Sequence, residues 1–146
     1  MREVPGCTVL TAQPGTGLDN LTGFAARHWP LAGVSAAYGD FIGRFKPLDA
    51  ATAGTALSDA EALALRLRLV DDYRAAALAD PRLPRGALPP DWPAARAQGI
   101  FRRIYLALSP AADRHVAKSF ADSDGNLPER TGETLKRQAE LQGALV

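Results

Sequence analysis

Cysteine, aromatic residues and long apolar runs are all scarce in this chain of 146 residues. Cys7 is the single cysteine, so neither an intrachain disulfide nor a zinc site made of several cysteines can form within one chain. No apolar run reaches the roughly eighteen residues of a membrane-spanning helix, and the N-terminus lacks the apolar core of a secretory signal. These absences predict a cytoplasmic protein that does not enter a membrane.

The residue types that are abundant indicate helices. Apolar residues make up 47% of the chain and charged residues 23%, while aromatic residues contribute only 7%. Alanine and leucine therefore supply most of the apolar surface, which favours closely packed helices. A chain of this length corresponds to one domain with room for a core. We predict a mainly α fold, a compact bundle of four to five helices with a short N-terminal strand-like remnant.

That remnant lies within residues 1–23, which carry little periodicity. Residues 9–11 (VLT) have the composition of one short strand. A single strand cannot satisfy its own backbone hydrogen bonds, and no partner strand is visible in the sequence. Two interpretations stay open: the segment is disordered, or it is the end of a preceding domain whose remainder is missing.

The first predicted helix follows Pro30. Its apolar residues fall at i, i+4, i+7 and i+11, on one face of a helix, and Pro47 is predicted to end it. These apolar residues are Val34, Tyr38, Phe41 and Phe45.

The second predicted helix begins at Ser58 and runs to about Ala76. Ser58 and Glu61 have the spacing of a capping box, in which a hydroxyl and a carboxylate satisfy free backbone N–H groups. Arg66 and Arg74 fall within the apolar arc of this helix, and a buried guanidinium needs a negative partner. Three alternatives stay open for them: snorkelling to solvent, an anionic ligand, or ion pairs with Asp71, Asp80 or Asp91.

A stiff connector at residues 80–93 (DPRLPRGALPPDWP) separates this helix from the next. Its five prolines predict an extended, polyproline-like segment without helix. Asp91 is predicted to cap the following helix, with Pro93 in the first turn. Trp92 is predicted to pack over the connector or the adjoining helix, and stacking on a ligand is the alternative.

The third predicted helix has the most regular apolar pattern of the chain, and Ser109 and Pro110 are predicted to end it. A fourth helix is predicted from there to about Phe120, and residues 123–146 are predicted to form a frayed polar tail. The apolar stripe of the third helix consists of Ala97, Ile100, Phe101, Ile104, Tyr105 and Leu108.

No complete motif for catalysis or metal binding is present. A calcium loop would place ligands at positions 1, 3, 5 and 12, which are here Asp122, Asp124, Asn126 and Glu133, but Leu127 replaces the glycine that its turn demands. His28 and His115 have neither metal-ligand nor nucleophile spacing. We therefore predict a surface turn at the acidic residues, and neither an enzyme, a metal site nor a cofactor. Residues 81–120 hold seven basic and two acidic residues, a local charge of +5 that attracts anions.

Several blocks of the sequence resemble the C-terminal domain of the PaaX-type repressors of phenylacetate catabolism. The proline-containing blocks DPRLP and LPPDWP, at nearly fixed separation, are the most specific of them. The similarity covers about residues 24–120. The blocks are residues 29–31 (WPL), 37–41 (AYGDF), 67–74 (LRLVDDYR), 80–84 (DPRLP), 88–93 (LPPDWP) and 101–105 (FRRIY).

The resemblance implies a bacterial transcription regulator with a winged-helix DNA reader, a ferredoxin-like middle domain and this helical domain. It implies a helical domain at residues 24–122, between the remnant at 1–23 and the polar tail at 123–146. DNA binding is expected only through a winged-helix domain that this chain lacks, so the chain is interpreted as truncated. Family members respond to phenylacetyl-CoA or related acyl-CoA thioesters, which lift repression.

Three hypotheses for this domain follow, and the one ranked last is direct nucleic-acid binding through the basic segment at residues 81–120, because few side chains beside its arginines could read bases. In the first, arginines meet CoA phosphates and aromatic rings surround an aryl acyl group. In the second, the domain is an interaction module without a ligand, and a stripe around Ile100, Phe101 and Ile104 pairs two subunits into a homodimer. The predicted ligand-binding residues are Arg66, Tyr73, Arg74, Trp92, Arg96, Arg103 and Tyr105. The predicted structural motif consists of Ser58, Asp80, Pro81, Pro84, Asp91, Trp92 and Pro93.

Overall fold

The computed structural model describes residues 20–51, 57–123 and 125–143. This part of the chain is mainly α with five α-helices, as predicted, while the predicted strand at residues 9–11 lies outside it. A 3₁₀ turn at Arg85–Ala87 interrupts the connector, and two short antiparallel strands follow α4. The elements are α1 Leu21–His28, α2 Leu31–Ala51, α3 Asp59–Ala79, α4 Ala94–Ser119, β1 Ala121–Asp122, β2 Gly125–Asn126 and α5 Gly132–Gly143.

The core lies between α2, α3 and α4, which pack against one another. The apolar face predicted for the first helix is confirmed, because all four of its residues are buried. On α4 the predicted stripe is also confirmed, with Phe101 partly buried and its other members buried. Helix α1 contacts the 3₁₀ turn of the connector, and α5 contacts α4. None of the helices in the described ranges combines the length and the apolar character needed to cross a bilayer.

Two prolines that were predicted to end helices lie inside them. Helix α2 continues past Pro47, and α4 runs through Pro110, so the predicted third and fourth helices are one. A proline inside a helix removes one backbone hydrogen bond and costs about 3 kcal/mol. In α4 this cost is offset because Leu108 and Ala112, on either side of Pro110, are both buried. Both proline rings are exposed, so neither crowds the core.

The predicted frayed tail contains helix α5. Thr131 starts it, since its Oγ1 accepts a hydrogen bond from the backbone N–H of Thr134 at 3.2 Å. Leu141 then packs against the core, and Gln138 donates a hydrogen bond to Asp113 on α4. Because these contacts come from a distant element, the local composition of the tail did not predict them. The surface turn predicted near Asp122 is confirmed, since β1 and β2 form a hairpin there.

The predicted capping box at the start of α3 is confirmed. Ser58 Oγ accepts a hydrogen bond from the backbone N–H of Glu61 at 3.3 Å. In return, the Glu61 carboxylate accepts one from the backbone N–H of Ser58 at 2.9 Å. These bonds lower the pKa of Glu61, so the stability they contribute is present at neutral pH and is lost as the pH falls through that lowered pKa.

Replacing Ser58 by alanine is expected to lower the free energy of unfolding by about 1 kcal/mol, because the first turn of α3 loses its cap. Urea unfolding followed by circular dichroism measures this loss. Ser119, at the exposed C-terminal end of α4, provides the control, and its replacement by alanine should change stability by less than about 0.5 kcal/mol. Equal losses in the two variants would show that the capping box contributes nothing.

Candidate functional site

An open cleft of about 540 Å³ lies where the connector meets α2, the end of α3 and the start of α4. This volume is within the range of roughly 300–1,000 Å³ that is typical of small-molecule sites. Aromatic rings and aliphatic side chains form much of its lining, and two arginines and a carboxylate supply its charges. The lining residues are Tyr38, Tyr73, Ala77, Asp80, Arg82, Leu83, Arg85, Leu88, Trp92, Ala94, Ala95 and Gln98.

Asp80 holds the two ends of the connector together. Its Oδ2 accepts a hydrogen bond from the Tyr38 hydroxyl at 3.0 Å and a longer one from Trp92 Nε1 at 3.4 Å. Its Oδ1 accepts the backbone N–H of Arg82 at 2.8 Å. The DPRLP and LPPDWP blocks therefore meet at one carboxylate, and the predicted packing of Trp92 is confirmed by its exposure of only 8%.

The start of α4 differs from the prediction. Asp91 is exposed and does not cap the helix, which begins at Ala94 with Pro93 at the N-cap position and no side-chain cap. The reason is that the chain turns so that Trp92 points inward, with the backbone N–H of Trp92 donating to the Pro89 carbonyl at 3.2 Å. Burial of the Trp92 indole thus sets the backbone turn before α4, and this turn leaves the Asp91 carboxylate in solvent.

Arg82 has a strained backbone at the cleft. Its φ of +53° lies in the left-handed region, which costs a residue other than glycine about 1–2 kcal/mol. Such strain persists only where surrounding contacts impose it, and it concentrates at functional sites. Here the hydrogen bond from the Arg82 N–H to Asp80 is one such contact. Arg85, at the same rim, donates a hydrogen bond to the carbonyl of Pro90.

The two tyrosines of the cleft remain protonated at neutral pH. Burial, together with the hydrogen bond to Asp80 and its charge, raises the pKa of Tyr38. Burial also raises the pKa of Tyr73. Their rings lie 6.5 Å apart, and the Trp92 ring meets Tyr38 edge-on at 6.4 Å. The cleft thus offers an aromatic wall with neutral hydroxyl groups and two cationic groups at its rim.

Of the seven predicted ligand-binding residues, the cleft contains Tyr73 and Trp92. Arg74 and Arg96 are exposed on α3 and α4 and do not line it. Arg103 forms a two-pronged ion pair with Asp49, with distances of 3.0 and 2.6 Å. The prediction that Arg74 is buried was wrong, because α3 turns its opposite face to the core.

The remaining two predicted residues, Arg66 and Tyr105, lie together on the side of the bundle covered by α5. Arg66 is mostly buried, as predicted, but its partner is Asp113 at 2.5 Å and none of the three acidic residues considered from the sequence. The Arg66 guanidinium also lies over the Tyr105 ring, 5.7 Å from its centre. This pair is a structural ion pair separate from the cleft.

Tyr38, Arg82 and Arg85 line the cleft but were not among the ligand-binding residues predicted from the sequence. Tyr38 was assigned only to the core, although its hydroxyl needs a partner when buried. Arg82 and Arg85 belong to the basic segment, and their position inside a proline-stiffened connector is the signal that singles them out. Within residues 20–51, 57–123 and 125–143, no three metal-ligating side chains are grouped so that they could hold an ion.

Known proteins provide an independent comparison. Residues 29–118 match the family described as PaaX-like protein C-terminal domain. Over 102 residues, the chain is 34% identical to the transcriptional repressor PaaX of Escherichia coli K12. This matched region makes up 68% of the chain and 32% of the repressor. The chain thus spans about a third of the length of that relative, and no solved structure matches it. Because the family match covers well over half of its residues, this chain belongs to the PaaX-like C-terminal domain family.

Proposed function

We propose that this chain is the effector-sensing and dimerisation domain of a PaaX-type transcriptional repressor of phenylacetate catabolism, acting in the cytoplasm and without enzymatic activity. The observation that carries the proposal is the cleft, where the family's two proline blocks converge on Asp80 beside an aromatic wall. DNA contact is proposed to come through a winged-helix domain outside these 146 residues.

The proposed effector is phenylacetyl-CoA or a related aryl acyl-CoA. Its aryl group would contact the rings of Tyr38, Tyr73 and Trp92, since aromatic rings favour edge-on and offset contacts. Its phosphates would pair with Arg82 and Arg85, whose planar guanidinium groups suit phosphate oxygens. The positions of these two arginines at the rim make them better candidates than Arg66 and Arg103, which are engaged by carboxylates.

Isothermal titration tests this proposal. Phenylacetyl-CoA is expected to bind more tightly than CoA alone or phenylacetate alone, because only the thioester presents both the ring and the phosphates. Absence of heat with phenylacetyl-CoA at high micromolar concentration would refute effector sensing by this chain. Equal affinity for CoA and its thioester would instead remove the aryl group from the proposal.

Replacing Arg82 by glycine is expected to separate binding from stability. The guanidinium is lost, so the affinity for phenylacetyl-CoA should fall about tenfold, the value of one charge-assisted hydrogen bond. Stability should stay unchanged or rise by up to about 1 kcal/mol, because glycine relieves the strain at φ +53°. Arg96→Ala, on α4 away from the cleft lining, is the control for lost positive charge. If both variants bind equally, Arg82 has no direct role.

The second hypothesis, an interaction module paired through the α4 stripe, is not supported in that form. Ile100 and Ile104 are buried within one chain, and Phe101 stacks on Tyr73 with ring centres 4.5 Å apart. The stripe is therefore already covered by α3. A homodimer remains part of the proposal through a different surface.

A further inference from the structure

The outer face of α3 carries the two most exposed large apolar side chains of the described residues. Leu67 is 61% exposed and Leu78 is 74% exposed. They are eleven residues apart, which is close to three helical turns, so they lie on the same side of the helix. Asp71 and Arg74, also exposed, lie between them on that side. We call Leu67, Asp71, Arg74 and Leu78 the outer stripe.

The outer stripe lies opposite the packed face of α3, which buries Leu69 and Ala76. Burying this exposed leucine surface against another surface would be favourable, because it removes apolar area from water. No described element covers the four residues of the stripe.

The outer stripe is complementary to itself. When two copies of α3 lie antiparallel, facing residues have numbers that add to a constant. In the register where this constant is 145, Leu67 faces the partner's Leu78, and Asp71 faces the partner's Arg74. In this single register each leucine faces a leucine and each charged residue faces one of opposite sign. The twofold symmetry produces two leucine pairs and two ion pairs. The twofold axis passes between residues 72 and 73, and the overlap of residues 66–79 is about 21 Å long.

We propose that two copies of this chain associate through the outer stripes of α3, antiparallel and in this register. The proposal rests on the dimer of the proposed function and names its surface, but it does not depend on the effector cleft. Two leucine contacts and two exposed ion pairs form a smaller patch than the roughly 800 Å² per partner of a stable interface. We therefore expect reversible association that rises with protein concentration.

Sedimentation equilibrium over a concentration series up to about 0.5 mM, within the range of weak affinities, tests the association. The wild-type chain should show dimers, and Leu67→Glu with Leu78→Glu should remain monomeric and folded. Leu135→Glu, which alters an exposed leucine of α5 instead, is the control and should leave the dimer unchanged. A wild-type chain that stays monomeric throughout would overturn the proposal. A large loss of stability in the double variant would also overturn it, because such a loss would mean that another segment of the same chain covers the outer stripe.

Charge reversal tests the register. Asp71→Arg alone and Arg74→Asp alone each place like charges opposite one another, so each should weaken self-association about tenfold. The double variant restores opposite charges and should associate like the wild type. Mixing the two single variants should produce a heterodimer, because both of its facing pairs are then opposite in sign. Failure of both rescues would overturn the register.

The cleft is tested separately on the monomeric Leu67→Glu, Leu78→Glu variant. If this variant binds phenylacetyl-CoA as tightly as the wild type does, effector sensing stands whether or not the wild type forms the proposed dimer. If the wild type dimerises but binds no thioester, the outer stripe stands and effector sensing fails.

Discussion

Replacing Asp113 by alanine is expected to lower the free energy of unfolding by about 3–5 kcal/mol, because a buried guanidinium loses its partner. The side chains of Arg66 and Asp113 are only 13% and 4% exposed, and their charged atoms lie 2.5 Å apart. Asp113 Oδ2 also accepts a hydrogen bond from Gln138 Nε2 at 3.1 Å. Truncation would leave both donors unsatisfied in a region that water reaches poorly.

Urea unfolding measures this loss, and Asp59→Ala is the matched control. Asp59 pairs with Arg114 and Lys118 at 2.7 and 3.3 Å, but on the surface, where ion pairs contribute little. A variant with Arg66→Met and Asp113→Leu removes both charges and should recover most of the loss. If Asp113→Ala costs no more than Asp59→Ala, the buried pair has no structural role.

The Asp113→Ala variant should also loosen α5. Gln138 loses its acceptor, and the contacts that remain to α5 include Leu141 against the core and Arg137, whose hydrogen bond to Tyr105 raises the pKa of Arg137. Hydrogen exchange in residues 132–143 should therefore accelerate more than in α3. Equal acceleration in both helices would indicate a global loss of stability without a local effect.

The Arg66 pair shows how far the sequence could lead. The apolar arc of α3 predicted that Arg66 is buried and needs an anionic partner, which is correct. Asp113 could not be identified, because it lies 47 residues away and beyond Pro110, where the sequence predicted a helix break. The position of Asp113 around the helix axis, relative to the residues before Pro110, is fixed only if α4 is one continuous helix. The incorrect prediction that α4 ends at Pro110 therefore prevented the identification of Asp113 as the partner of Arg66.

In the cleft too, features set by neighbouring residues could be predicted, whereas contacts between residues far apart in the sequence could not. The proline blocks indicated a stiff connector and a packed Trp92, since these follow from residue types over a few positions. The hydrogen bond between Tyr38 and Asp80 spans 42 residues, and no local pattern encodes it. The burial of Arg74 was predicted from an arc that was too wide, because amphipathic patterns do not show how much of a helix its neighbours cover.

Replacing Trp92 by alanine is expected to lower the free energy of unfolding by about 3–5 kcal/mol, since a large buried ring leaves a cavity under the connector. Trp29→Ala provides a matched control, because Trp29 is 36% exposed and should cost clearly less. Trp92→Phe keeps most of the packing but removes the hydrogen bond to Asp80, so it should cost an intermediate amount.

Circular dichroism follows the unfolding of all three tryptophan variants, because fluorescence would change with the residue itself. The indole carries part of the aromatic wall and holds the connector against Asp80, so Trp92→Phe should also weaken binding of phenylacetyl-CoA. If Trp92→Ala costs no more than Trp29→Ala, the indole does not fix the connector. The cleft would then lose the rigid wall on which the effector proposal depends, because a mobile connector could not hold Arg82 and Arg85 in place.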